Sequence, residues 1–426
     1  MPQSTGLPAN PNIALAVKAE GGDLSGAGNL FKSERFAIGG YGDFQFRESP
    51  LNEKADGGGV PTFQSTRFVL GLAAVLSQKQ NIVFNSEIEY EFGSRELDVE
   101  QAFVEWKVRP QFAFRAGIYP PSLGRFNVYH DSNLNLMTLR PLINQFIINT
   151  AYRDAGIGTR GVFNLPRNMK MSYEVNLLNG MQPLNADGEP TPFSRLLGQA
   201  SASEPGLIAF QAVTRRKAFS GRIGFSPFLG FEVGGSIYNG PVNSLGAPPQ
   251  SITIAFYDAS LRRGRLAVDA EYARSNIVGG IPRHSEPPPV IDPLFPDTTV
   301  ALSKYVTELS PGQDGVYVEA AYNFTPRFFQ KNFDEGSYIA PVFRFETIRR
   351  DRTLSNFYLN EWRTTIGFNV APSPSTIFKF GYVFNHPFGN VPDIEGPIGG
   401  ADFGNNPIPF RDYGKNGFVG SVAYVF

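Results

Sequence analysis

From Phe36 onward, apolar and polar side chains exchange places with period two in one run after another. This is the pattern of strands whose two faces meet different surroundings. In the run 111–119, Phe112, Phe114, Ala116 and Ile118 share one face, while Arg115, Gly117 and Tyr119 share the other. In 377–385, Phe378, Phe380, Tyr382 and Phe384 alternate with positions that include Lys379. Comparable runs at 36–47, 63–76, 82–92, 98–108, 155–163, 170–178, 218–226, 231–238, 252–261, 265–275, 316–324, 338–348, 357–370 and 416–426 predict about sixteen strands.

The connections sort by length. Those at 78–80, 109–110, 165–168, 227–230, 262–264 and 372–374 are short, and long segments such as 120–153, 179–207, 277–313 and 386–411 fall between them. Short turns at one end and long loops at the other are expected of an outer-membrane barrel. A soluble propeller would repeat every 40 to 50 residues or so, and no such repeat is visible. The chain is therefore expected to be all-β: a transmembrane antiparallel barrel over 36–426, with 1–35 as a flexible or periplasmic extension. The segment 120–153 is long enough to be functional, and it is expected to fold inward and narrow a pore.

Composition agrees with this class. The 426 residues include 45 Gly, 38 Phe and 17 Tyr but only 2 Trp, and mean hydropathy is −0.18. No apolar run reaches the roughly 20 residues a transmembrane helix needs. A barrel hides its apolar surface in alternate positions, so its bulk hydropathy stays low. The net charge of −1 leaves no basic footprint for nucleic acid. With no cysteine there is neither a disulfide nor a thiolate metal site, and no metal or cofactor is expected. The N-terminus lacks a charged segment followed by an apolar run, so an outer-membrane location would make the chain a processed form.

Charged side chains fall on the face opposite the aromatic one. Buried in a solid core they would be costly; in a wet lumen they stay solvated. The candidates for pore lining or constriction are Glu105, Arg115, Arg125, Asp131, Arg140, Arg153, Arg160, Arg222, Arg344, Arg363 and Lys379. Several of these cations are expected near the narrowest point, with Asp131 and Asp154 close enough in sequence to pair with them. His130-Asp131-Ser132 holds the residue types of a hydrolytic triad, but sequence neighbours cannot form its geometry. The expected activity is passive diffusion of small hydrophilic solutes or ions, without catalysis. A structural or adhesive barrel with a closed lumen is the alternative, and a membrane-embedded hydrolase a more distant one.

Short motifs add a resemblance. Ala102-Phe-Val-Glu-Trp-Lys107, Arg115-Ala-Gly117, Pro120-Pro-Ser-Leu-Gly124, Arg140-Pro141 and Arg153-Asp-Ala-Gly-Ile157 resemble the family of phosphate-selective porins O and P, an outer-membrane porin family. Ser220-Gly-Arg222, Gly234-Gly-Ser-Ile-Tyr-Asn-Gly240 and Ala270-Glu-Tyr272 are similar to its middle part, and the terminal Phe426 matches outer-membrane barrels. The resemblance implies a sixteen-stranded porin, commonly a homotrimer among outer-membrane lipids, passing small solutes or inorganic anions, with 120–153 as its third loop. The chain departs from the family in having no lysine in 120–153 and as many carboxylates as guanidinium groups on the lumen face. Mild anion preference is therefore expected rather than tight phosphate selectivity.

Overall fold

The structure is a computed structural model. It describes residues 31–32, 35–48, 62–92, 96–148, 150–180, 217–241, 251–278, 312–350, 352, 360–388, 397–398, 408–409 and 416–426. The barrel strands are β1 (Phe36–Arg47), β2 (Thr62–Ser77), β3 (Ile82–Glu91), β4 (Glu96–Arg109), β5 (Phe112–Tyr119), β6 (Asp154–Asn164), β7 (Lys170–Leu178) and β8 (Ala218–Phe228). They continue as β9 (Phe231–Pro241), β10 (Ser251–Arg263), β11 (Leu266–Val278), β12 (Gly312–Tyr322), β13 (Tyr338–Arg349), β14 (Glu361–Ser373), β15 (Thr376–Pro387) and β16 (Gly417–Val425). The sheet has 17 strands, one of them the two-residue Phe31–Lys32 beside β1, which leaves sixteen in the ring.

Every strand pairs antiparallel with its sequence neighbours, and β16 returns to β1 with Val419 opposite Arg47 and Val425 opposite Tyr41. Closure leaves no unpaired edge, which is what a sheet in hydrocarbon requires. The final residue helps fasten the seam: Phe426 and Gly40 exchange two backbone hydrogen bonds of 3.0 Å. A Cβ on Gly40 would lie 2.4 Å from the Phe426 ring, so only glycine fits there.

The two faces differ as the alternation requires. Phe114, Ile223, Phe343, Phe368 and Tyr382 are exposed on the outside, while Glu105, Glu271, Arg344 and Lys379 are buried on the inside. Some strands run further than the pattern indicates. Residues 276–278 and 312–315 continue the ladder, with Asn276 opposite Gly312 and Val278 opposite Ser251, and Arg349 holds Asp314 across the next pair at 2.6 and 2.7 Å. The strand expected at 357–370 begins at Glu361, passes a bulge after Val370 and ends at Ser373; 353–359 lie outside the described residues, as do 1–30 and most of the loops expected at 179–207, 277–313 and 386–411.

The connections at 78–81, 110–111, 165–169, 229–230, 264–265 and 374–375 all lie at one end of the barrel. At the same end, β12 and β13 are joined by a longer piece carrying a helix, α2 (Arg327–Asn332). Alternation cannot reveal a helix; Pro326 at its N-cap was the available signal.

The segment 120–153 lies within the ring, since only an interior element can touch strands on all sides of a closed barrel. Asp131 meets Tyr41 of β1, Ser122 meets Glu174 of β7 and Gly124 meets Ser236 of β9. Leu142 meets Glu346 of β13, Asn369 of β14 holds the Leu136 carbonyl, and Thr138 meets Ser421 of β16. The segment is not wholly irregular: Ile143–Phe146 forms one helical turn, α1. Leu142, Ile143, Ile147 and Ile148 pack there with inward-facing Tyr238, Ile254, Phe256 and Ile348, so part of the lumen is filled by an apolar core.

Candidate functional site: the barrel interior

The interior is organised by charges on the wall acting on the backbone of the inner segment. Glu174 accepts from the Ser122 N–H at 2.9 Å and its hydroxyl at 2.8 Å. Glu271 accepts from the Arg125 and Phe126 N–H groups at 2.7 and 3.2 Å, and from Asn144 Nδ2 at 3.1 Å. Glu346 accepts from the Leu142 N–H at 2.6 Å. Cations on the wall take the carbonyls: Arg344 donates to Leu139 at 2.7 Å, Arg363 to Arg140 at 3.0 Å, and Lys379 to Ser132 and Asn135. Backbone donors and acceptors inside a barrel must be satisfied, and here ionised side chains satisfy them with the stronger, charge-assisted bonds. Gly124 is the closest approach. Its φ is +68°, and a Cβ there would meet the Glu271 carboxylate at 2.6 Å.

Most of the candidate cations are engaged with carboxylates. Arg115 pairs with Glu174 at 2.7 Å and stacks on Tyr119. Arg153 pairs with Asp98 at 2.8 Å and Arg160 with Glu105 at 2.6 Å. Arg222 binds Asp258 and lies 3.3 Å from Glu232. Arg344 pairs with Glu319 at 2.7 Å and Arg363 with Glu346 at 2.7 Å. The cations thus form no single cluster; the register places a carboxylate across the ladder from most of them. The pairing expected for Asp131 and Asp154 is also corrected. Asp131 accepts from the Tyr41 hydroxyl at 3.1 Å, and Asp154 from the Tyr152 hydroxyl at 2.9 Å and the Gly180 N–H at 2.7 Å.

Arg125 and Arg140 stand apart. Arg125 stacks on Tyr129 with its guanidinium carbon 4.6 Å from the ring centre, and it approaches Asp269 and Glu232 only to 3.8 and 3.9 Å. The Arg140 guanidinium has no ion pair or hydrogen bond among the described residues; burial, with Arg67 close by, pulls its pKa down.

Beside the inner segment, along β3–β9, the lumen opens into a cavity of about 510 Å3 that reaches the short-turn end at Asn81 and Arg109–Pro110. Its walls include Glu105, Lys107, Arg115, Arg125, Tyr129, Arg160, Arg222 and Glu232. Water reaches these groups unequally. The Arg160, Arg125 and Lys107 side chains are 29, 21 and 21% exposed and Glu232 28%, whereas Glu105 is 1% exposed. With Arg109 exposed at the mouth, the accessible charge is therefore four cations against one carboxylate, although the wall as a whole is balanced.

The deep end of the cavity is different. His130 Nδ1 donates to the Asn127 carbonyl at 3.0 Å, which turns Nε2 toward Glu100 at 3.5 Å and Asp131 at 3.9 Å. Burial pushes the Asp131 carboxyl up to about 6. Ser132 Oγ has no hydrogen-bond partner among the described residues, so no nucleophile–histidine contact forms here. Glu100, Tyr41 and Tyr129 were not singled out from the sequence; two sit at lumen-face positions of their strands and the third in the irregular segment, where alternation assigns no face.

No protein-family model matches the chain. An uncharacterised protein of Aquifex aeolicus (strain VF5) is 28% identical over 209 residues, 47% of this chain and 43% of that protein, so the match spans less than half of its length. Among solved structures, Salmonella typhi OmpF in complex with daunomycin aligns over 93% of this chain and 99% of its own, at 11% identity and TM-score 0.57. The anion-selective porin of Comamonas acidovorans aligns over 92% and 99%, at 10% identity and TM-score 0.53. The outer membrane channel DcaP of Acinetobacter baumannii aligns over 93% and 99%, at 12% identity and TM-score 0.50. At these identities the likeness establishes the fold. The chain is a closed sixteen-stranded antiparallel barrel of the kind found in outer-membrane porins.

Proposed function

We propose that this chain is a bacterial outer-membrane porin that lets small hydrophilic solutes or ions diffuse passively, with a mild preference for anions. The observation that carries this reading is the water-accessible charge of the 510 Å3 cavity, where Arg109, Arg125, Arg160 and Lys107 outnumber Glu232. Fixed charges in a narrow passage bias permeation more than charges in a wide one, because water screens them less. Wall arginines that water does not reach, such as Arg115, Arg344 and Arg363, contribute little to that bias. Assembly as a homotrimer belongs to the same proposal, as does kinship with phosphate-selective porins, which rests on the sequence motifs. Reversal potentials across a planar bilayer in a salt gradient test the preference. Anion selectivity that weakens in an Arg125→Gln, Arg160→Gln double variant supports it, and a cation-selective wild type refutes it.

One observation favours a second reading, a structural barrel with a closed lumen. The apolar packing of Leu142, Ile143, Ile147 and Ile148, each at most 2% exposed, fills part of the interior. The same bilayer experiment separates the two, since a closed barrel passes no steady current.

A further inference from the structure

The short-turn end of the barrel carries a surface that the channel reading does not use. It lies where β10, β11, β12 and β13 end. Leu266 and Tyr322 face each other across β11 and β12 on the outer face, 38 and 49% exposed, and mark the edge of the apolar belt. Just beyond them the Arg265 carbonyl accepts from the Asn323 N–H at 2.8 Å, which sets the turn carrying Arg263 and Arg265 beside the piece that carries α2.

The helix is short and two-sided. Phe329 is buried, while Phe328 is 62% and Phe333 38% exposed. The three rings pack together, with centroids 4.5 to 6.0 Å apart. Arg327 and Lys331, one helical turn apart, are exposed on the same helix, and Arg263 and Arg265 are exposed on the neighbouring turn. Asp334 and Glu335 follow α2 and are also exposed, so the patch holds four cations and two carboxylates in a chain of net charge −1. Exposed aromatic rings with basic side chains at the edge of an apolar belt suit a lipid interface: the rings enter the acyl boundary and the cations meet headgroup phosphates. Short turns of such barrels face the periplasm, and the adjoining leaflet is then the phospholipid one.

We propose that Arg263, Arg265, Arg327 and Lys331, with Phe328, form a binding surface for anionic glycerophospholipid headgroups of the inner leaflet. Phe328 inserts beside the first acyl carbons and the four cations face the headgroup layer. The surface does not depend on whether the lumen conducts.

The test is lipid retention by the purified full chain, read by native mass spectrometry after exposure to equal amounts of phosphatidylglycerol and phosphatidylcholine with matched chains. Phosphatidylglycerol is expected to be retained about thirtyfold over phosphatidylcholine, the order that a net excess of two cations gives at an anionic surface. A variant with all four cations changed to glutamine should fall to parity, and Asp334→Asn with Glu335→Gln should raise the ratio. Should the fourfold variant not assemble, a salt series on the unmodified chain serves instead: the preference should vanish between about 0.05 and 1 M salt as screening sets in. Equal retention of the two lipids at low salt, undiminished preference in the fourfold variant, or full displacement by inorganic phosphate would overturn the proposal.

Discussion

Replacing Glu271 with alanine should release the inner segment from the barrel wall. The carboxylate is 1% exposed and accepts from the Arg125 N–H, the Phe126 N–H and Asn144 Nδ2. Each buried donor stripped of a charged acceptor costs about 1–3 kcal/mol. Water entering the vacated space restores part of that, which leaves a net loss of about 2–5 kcal/mol for docking of the segment. Glu271→Gln is the discriminating partner. One amide oxygen can still accept both backbone N–H groups, and the new NH2 can donate to Asn144 Oδ1, which has no partner among the described residues. The assay is protease accessibility of 120–153 in the detergent-solubilised barrel, together with current noise in planar bilayers. The alanine variant should be cut faster and give a noisier trace, while the glutamine variant stays close to the unmodified protein. An alanine variant indistinguishable from the unmodified protein, or a glutamine variant equally disrupted, would refute the idea that wall carboxylates fasten the segment.

The other expected outcomes are briefer. Phe380→Arg should hinder assembly by about 2–4 kcal/mol if the site is near the bilayer midplane, whereas Lys379→Gln should leave assembly intact and loosen only the contacts to Ser132 and Asn135; densitometry of folded and unfolded bands reads both, and the reverse order would mean the strand faces are exchanged. Gly124→Ala should shift the inner segment, because a Cβ there meets Glu271 and φ is +68°; altered single-channel conductance is the readout. Asp131 has a folded-state pKa raised from 3.8 to about 6. Its contribution to docking is therefore full below about 4 and is lost as pH rises through about 6; below 6 the interior also loses a negative charge, so anion preference should rise on acidification, and Asp131→Asn should abolish the step.

Strand faces were legible because period two survives in most runs: Arg115 and Lys379 are inside, and Phe112 and Phe380 are on the opposite face. A bulge at Glu100 breaks it in β4, so Glu100 on one side and Phe103 and Glu105 on the other all face inward. What those inner charges touch was not legible. Arg344 reads as pore lining, yet it holds the Leu139 carbonyl, 205 residues away, and the Glu319 carboxylate. Alternation reports a face, whereas the partner depends on register and on where the inner segment lies, and no local pattern encodes either. The guanidinium groups that water reaches, Arg125 and Arg160, could not be told from Arg115 by residue type; they differ in what packs beside them.

The attachment of the inner segment has a consequence for the order of assembly. Its anchors come from nearly the whole ring, and Thr138 reaches Ser421, 283 residues further along the chain. A contact of such sequence separation forms only after the intervening chain has been ordered, and closing long loops is slow. The segment therefore has no complete set of anchors while strands are still being added. Glu271, Glu346 and Lys379 surround it together only when the ring has closed in the correct strand order. Complete docking of the segment therefore cannot precede ring closure, and a misregistered barrel would leave it undocked, with its apolar turn exposed to proteases.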